Sequence, residues 1–107
     1  MAFNNYTHVF WSGGDISMSG GNYLANDVNG KTLEMTKLGQ YLINNNASYD
    51  MWKVASANFA NQVPNGGTVF VMQNANGVSV TSTWATTEYR ILIKKVIEII
   101  YEIIGGN

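Results

Sequence analysis

Five short clusters of turn-forming residues divide this chain: SGGD at 12–15, NG at 29–30, NNNAS at 44–48, PNGG at 64–67 and NANG at 74–77. Glycine reaches backbone angles closed to other residues, and asparagine hydrogen-bonds its own backbone, so such clusters end helices and strands. The segments between them are short, and no apolar run reaches membrane-spanning length. A chain of 107 residues divided in this way suits one domain. Folding at that size buries roughly two-thirds of the unfolded chain's surface, which supports one core without staples.

Between the breaks, residues 15–28 can form a first helix, weakened by Gly20 and Gly21. KTLEMT at 31–36 reads as a short strand or turn. Thr36 can cap a helix through KLGQYLI, and Ser48 or Asp50 can cap MWKVASANFANQV, which places Trp52, Ala55, Ser56 and Phe59 on one face. GTVFVMQ reads as a buried strand and GVSVTST as a short alternating one. In VIEIIYEII, 96–104, six of nine residues are β-branched, which favours a strand over 96–103. The expected fold is α/β (or α+β): an N-terminal helical part packed on a small, mainly parallel C-terminal sheet.

Composition excludes several functions. Only 12% of residues are charged and the formal net charge is -1, which does not suit a binder of nucleic-acid phosphates. Lys94 and Lys95, the only adjacent basic pair, are accounted for as the solvated end of an element. The absence of cysteine removes disulfides, thiolate metal sites and a Cys nucleophile. The single histidine, His8, cannot form a multi-histidine metal site, and its place near the N-terminus is expected to fray. No signal peptide opens the chain, and Lys94, Lys95, Glu98 and Glu102 interrupt its most apolar stretch. The sequence reads as soluble, with no membrane partner. It is also compatible with a module of a longer protein.

SGG and PNGG lack the spacing of nucleotide-binding glycine loops, and no Ser-centred elbow is present. What remains is three tryptophans (Trp11, Trp52, Trp84), two mid-chain acids (Glu34, Glu88) and two serines near indoles (Ser12, Ser56). Taken singly, each tryptophan is explained by core packing, and each acid by a helix start or a solvated surface.

Their order goes further. FWSGG, TLEMTKLGQYL, MWKVASANFA, TVFVM and STWATTE follow one another within about residues 10–100. This succession resembles the ADP-ribosyl cyclase/NAD glycohydrolase family. There a Trp-Ser pair precedes T-L-E-x-T-x-x-G, then W-x-x-x-S-x-x-F-A, a V-x-V-M strand, and an aromatic four residues before the catalytic glutamate. The resemblance implies that Glu88 is the catalytic acid and that Trp84 is the aromatic before it. Trp11 and Trp52 are then the indoles around nicotinamide, and Ser12 and Ser56 hold diphosphate and ribose. Glu34 is then the second acid, which balances cyclisation against hydrolysis. NAD or NADP enters as substrate, with no cofactor and no metal.

The chemistry fits these roles. A cationic nicotinamide is attracted to indole faces by about 0.5–2 kcal/mol, and it leaves as a neutral base, so no general acid is needed. One carboxylate suffices to stabilise or trap the oxocarbenium-like sugar. Three departures stand out. Gly13 replaces an arginine of the family, although the backbone of Gly13 and Gly14 could form an anion nest; Asn44–Asn46 replace acids; and the disulfides are missing. Such a short, cysteine-free version resembles the bacterial branch. That resemblance implies a domain of a secreted toxin, acting in the target-cell cytoplasm and neutralised by an immunity protein. Two other readings stay open: a noncatalytic nucleotide- or sugar-binding module, and an immunity or adaptor protein with exposed aromatics.

Overall fold

The computed structural model describes residues 6–74, 77 and 81–103. Of the strand expected over GVSVTST, 77–83, residues 78–80 lie outside them. Gly77 makes only an isolated bridge with Asn74, and 81–83 turn into the segment that begins at Trp84, so the described part is not a strand. Strand β1 (Thr7–Ser12) leads into helix α1 (Asp15–Asp27) and the two-residue strand β2 (Gly30–Lys31). A 3-10 turn (Leu33–Met35), α2 (Lys37–Asn44) and α3 (Tyr49–Asn61) lead to β3 (Thr68–Gln73). After a π-helical turn (Trp84–Glu88) come α4 (Tyr89–Leu92), a second 3-10 turn (Ile93–Lys95) and β4 (Glu98–Ile103).

The four strands form one sheet in the order β2-β1-β3-β4, and every pairing is parallel. The fold is α/β. Parallel neighbours need crossover connections, so helices and strands alternate along the chain instead of dividing into a helical half and a sheet half. Strands β1 and β2 come from the first third of the sequence, and β1 lies in the interior of the sheet. His8 therefore does not fray. It is 2% exposed, between the rings of Tyr6 and Phe59, with Nε2 3.3 Å from Gln62 Oε1. Burial holds its pKa below the usual imidazole value, and the contacts to Gln62 and to the Tyr6 backbone only partly oppose this.

Side chains alternate across β1. His8 and Phe10 meet Phe59 of α3, and Phe10 also meets Trp84. Trp11 lies on the opposite face against α1, where a Cβ on Gly21 would sit 3.3 Å from that of Trp11. Glycine thus weakens α1 as a helix but admits the indole. The main core joins Phe10, Leu42, Phe59, Val69, Val71 and Trp84, so α3 and the π-turn cover one face of the sheet and α1 the other. Thr36 caps α2 by accepting from Gly39 N, and Ser48 caps α3 by accepting from Met51 N, as the sequence predicts. Lys95 is tied down: its ammonium donates to the carbonyls of Asn61 and Val63 at the end of α3.

The strand order reverses at β1. The chain moves from β1 to β2 on one side and returns to β3 on the other. In open parallel sheets such a reversal leaves a crevice beyond the carboxyl ends of the strands.

Candidate functional site

The main cavity lies at that crevice. It has a volume of about 640 Å³ and is lined by Trp11, Ser12, Glu34, Trp52, Ser56, Trp84 and Glu88, together with Gly13, Gly14, Phe10, Phe59 and others. All seven residues singled out in the sequence share it. They come from four separate segments.

The TLEMTKLGQ stretch forms a frame for one acid. Thr32 is buried and its hydroxyl donates to Asn22 Oδ1 of α1 at 2.7 Å, while Leu33 enters the core. Thr36 donates to the Leu33 carbonyl at 2.7 Å and accepts from Gly39 N at 3.0 Å. A Cβ on Gly39 would collide with the Leu33 carbonyl; only glycine lets α2 start this close to the turn. The fastened turn presents Glu34, whose carboxylate accepts from Trp11 Nε1 at 3.0 Å. One acid and one indole are thereby locked together.

Helix α3 supplies a second wall. At spacings of three and four residues, Trp52 and Ser56 reach the cavity while Ala55, Phe59 and Ala60 enter the core. The third wall is the π-turn. Tyr89 N–H donates to Trp84 O, five residues back, and the widened turn lets both Trp84 and Glu88 line the cavity. Trp84 is 2% exposed. It packs against Phe10, Tyr89 and Tyr101, and its indole N–H donates to the Tyr101 hydroxyl.

Glu88 is 7% exposed, and its pKa is pushed from 4.5 up to about 8. Desolvation is the main cause and the nearby Glu34 charge adds to it, whereas a hydrogen bond from the Ser56 hydroxyl opposes both. At neutral pH Glu88 is therefore mostly a neutral acid. A cation entering beside it would favour the carboxylate, so cation binding and proton release are linked.

At the end of β1, Gly13 and Gly14 take positive φ angles of 116° and 86°, and Gly14 begins α1 with no side-chain cap. The buried hydroxyls of Ser12 and Ser17 have no hydrogen-bond partner in this structure. Open helix amides beside orphaned hydroxyls suit an anion. Among the described residues no group of three His, Asp or Glu side chains could hold a metal ion.

The sequence reading passed over Tyr49, Ile43 and Met18, which also line the cavity. Tyr49 was within reach: it precedes Trp52 by three residues on the same helical face. No protein-family model matches the chain, and no curated protein matches it.

Proposed function

We propose that the chain is an NAD glycohydrolase of the ADP-ribosyl cyclase type, which cleaves the bond between nicotinamide and ribose. One observation carries the reading: seven residues scattered from position 11 to position 88, chosen from motif order alone, line a single cavity around a buried acid. In this reading the half-buried rings of Trp11 and Trp52 flank the cationic nicotinamide, whose positive charge favours the Glu88 carboxylate, so Glu88 releases its proton to water. The C1′–N bond then breaks and its electron pair stays on the ring nitrogen, so nicotinamide leaves neutral. Glu88 stabilises the positive sugar that remains. Water adds its oxygen to C1′ and releases a proton, giving ADP-ribose; attack by the adenine ring instead gives a cyclic product. Ser56 holds the ribose side, while Ser12 and the Gly13–Gly14 turn take the diphosphate.

The resemblance to cysteine-free bacterial domains extends the proposal to a toxin domain paired with an immunity protein. Expression that harms the host only when Glu88 is intact tests that extension. A second reading, a noncatalytic nucleotide-binding pocket, draws on the raised pKa of Glu88, because a neutral acid suits a neutral guest. The deciding experiment incubates the purified protein with NAD and separates the products by chromatography. Release of nicotinamide with ADP-ribose or cyclic ADP-ribose is expected. Folded protein that binds NAD and returns it intact favours the binding module.

A further inference from the structure

Along one face of α3, Tyr49, Trp52 and Ser56 form a row from the cavity mouth to the buried acid. Ser56 reaches Glu88, Trp52 stands one turn nearer the mouth, and Tyr49 lies in the first turn. Seven residues of helix, about 10 Å at 1.5 Å per residue, separate the two ends of the row. Tyr49 lines the cavity yet is 64% exposed, and Ile43 at the end of α2, 49% exposed, lines the same cavity. Among the described residues, the Tyr49 ring meets no other aromatic ring and its hydroxyl makes no hydrogen bond. An aromatic face and a branched aliphatic side chain therefore stand open at the lip of a cavity whose charged groups lie deeper.

We propose that Tyr49 and Ile43 form a stacking subsite for the second, neutral base of the dinucleotide, which makes the protein selective for dinucleotides over mononucleotides. The proposal rests on the reading of the cavity as an NAD site. With nicotinamide at Glu88, two riboses and a diphosphate carry adenine toward the mouth. A planar purine is the part of the substrate that an aromatic and aliphatic lip accepts, since any base can stack through its π-face. The stack forms equally in ground and transition states, so it acts on KM and leaves kcat alone.

The test compares NAD with nicotinamide mononucleotide, which has the same scissile bond but no adenosine. For Tyr49→Ala, KM for NAD rises on the order of tenfold, while kcat, the kinetics with the mononucleotide and Tm stay unchanged. Tyr49→Phe keeps the wild-type KM because stacking needs only the ring. Equal losses on both substrates, or an unchanged KM for NAD, overturn the subsite. If wild-type protein releases nicotinamide from neither substrate, the glycohydrolase reading fails, and AMP titration by tryptophan fluorescence judges the subsite separately. AMP binding that is lost in Tyr49→Ala and kept in Tyr49→Phe supports it; no binding of AMP to wild type overturns it.

Discussion

Trp84 and Trp52 stand on walls of the same cavity but are held in opposite ways. Trp84 is enclosed by three aromatic neighbours and hydrogen-bonded to Tyr101. Trp52 lies on the first turns of α3, half buried, and its ring pairs with no other aromatic among the described residues. The two acids divide similarly. Glu88 is buried beside Trp84, whereas Glu34 is half buried in a turn that can be traced bond by bond to Thr32, Thr36 and Gly39. One wall is thus built into the core, and the other is attached to it. Interior packing fixes the inner acid's position at the cost of its charge, and the outer wall keeps ring faces free for a guest.

Truncating the two indoles exposes the contrast most sharply. Trp84→Ala is expected to lose about 3–5 kcal/mol of stability, as for large core aromatics, and activity falls because the protein unfolds. Trp52→Ala is expected to lose about 1–2 kcal/mol of stability and to raise KM for NAD several-fold. Denaturant melts and steady-state kinetics on both variants check this. If Trp52→Ala melts as early as Trp84→Ala with a normal KM, the two walls do not differ.

Next in size is Glu88→Gln, which keeps the shape of the side chain and deletes its titration. Loss of a preorganised electrostatic contact lowers turnover by about 10²–10³-fold, while NAD affinity falls far less. The same residue has a pH signature. Its pKa rises from 4.5 to about 8 on folding, so between these values the native state holds a proton that the unfolded chain has released. Its contribution to stability is fully present below 4.5 and is lost as pH rises toward 8, with a slope of at most about 1.4 kcal/mol per pH unit. Glu88→Gln removes that slope. If the protein is the proposed glycohydrolase, activity is expected to run the other way: kcat/KM would rise with pH up to about 8 as the carboxylate forms in the free protein, while kcat would titrate lower because bound nicotinamide would offset the burial. Melts and rates across pH test both, and a flat stability profile in wild type would mean that Glu88 is already charged.

Glu34→Gln has the smallest expected effect. It removes the negative charge that helps raise the Glu88 pKa, so the kcat/KM profile moves toward lower pH and the ratio of cyclic to hydrolysed product changes. The rate changes only a few-fold. An unmoved profile with unchanged products would show that the outer acid does not act on the inner one.

What the sequence disclosed divides along the same line. The inner part of the Glu34 frame is local, Thr36 bonding Leu33 and Gly39 three residues away on either side, so T-L-E-x-T-x-x-G carries that part; the caps Thr36 and Ser48 were legible for the same reason. The bonds to Asn22 and Trp11 lie outside the motif. The motif order also pointed to Glu88 and Trp84 as cavity residues. Their burial, the aromatic enclosure of Trp84 and the protonation of Glu88 depend on residues far away in the chain, and the single extra residue of the π-turn leaves no pattern in composition. Strand β1 stayed hidden because THVFWS mixes polar and apolar residues and precedes a glycine turn. Its identity is fixed by neighbours on both edges. Once His8 is known to lie inside the sheet, its nearness to the N-terminus says nothing about order.

The pairing of β1 with β3 also has a kinetic consequence. His8 aligns with Val69 and Ser12 with Gln73, partners more than half the chain apart. Closing so long a loop costs entropy before any contact repays it, which makes parallel pairing of this kind slow. Ser12 and Trp11 reach the cavity only through β1, and Glu88 follows β3, so no early compact species can contain a finished pocket. During refolding, secondary structure therefore recovers first, and the finished pocket returns only with the slow phase in which the two strands meet.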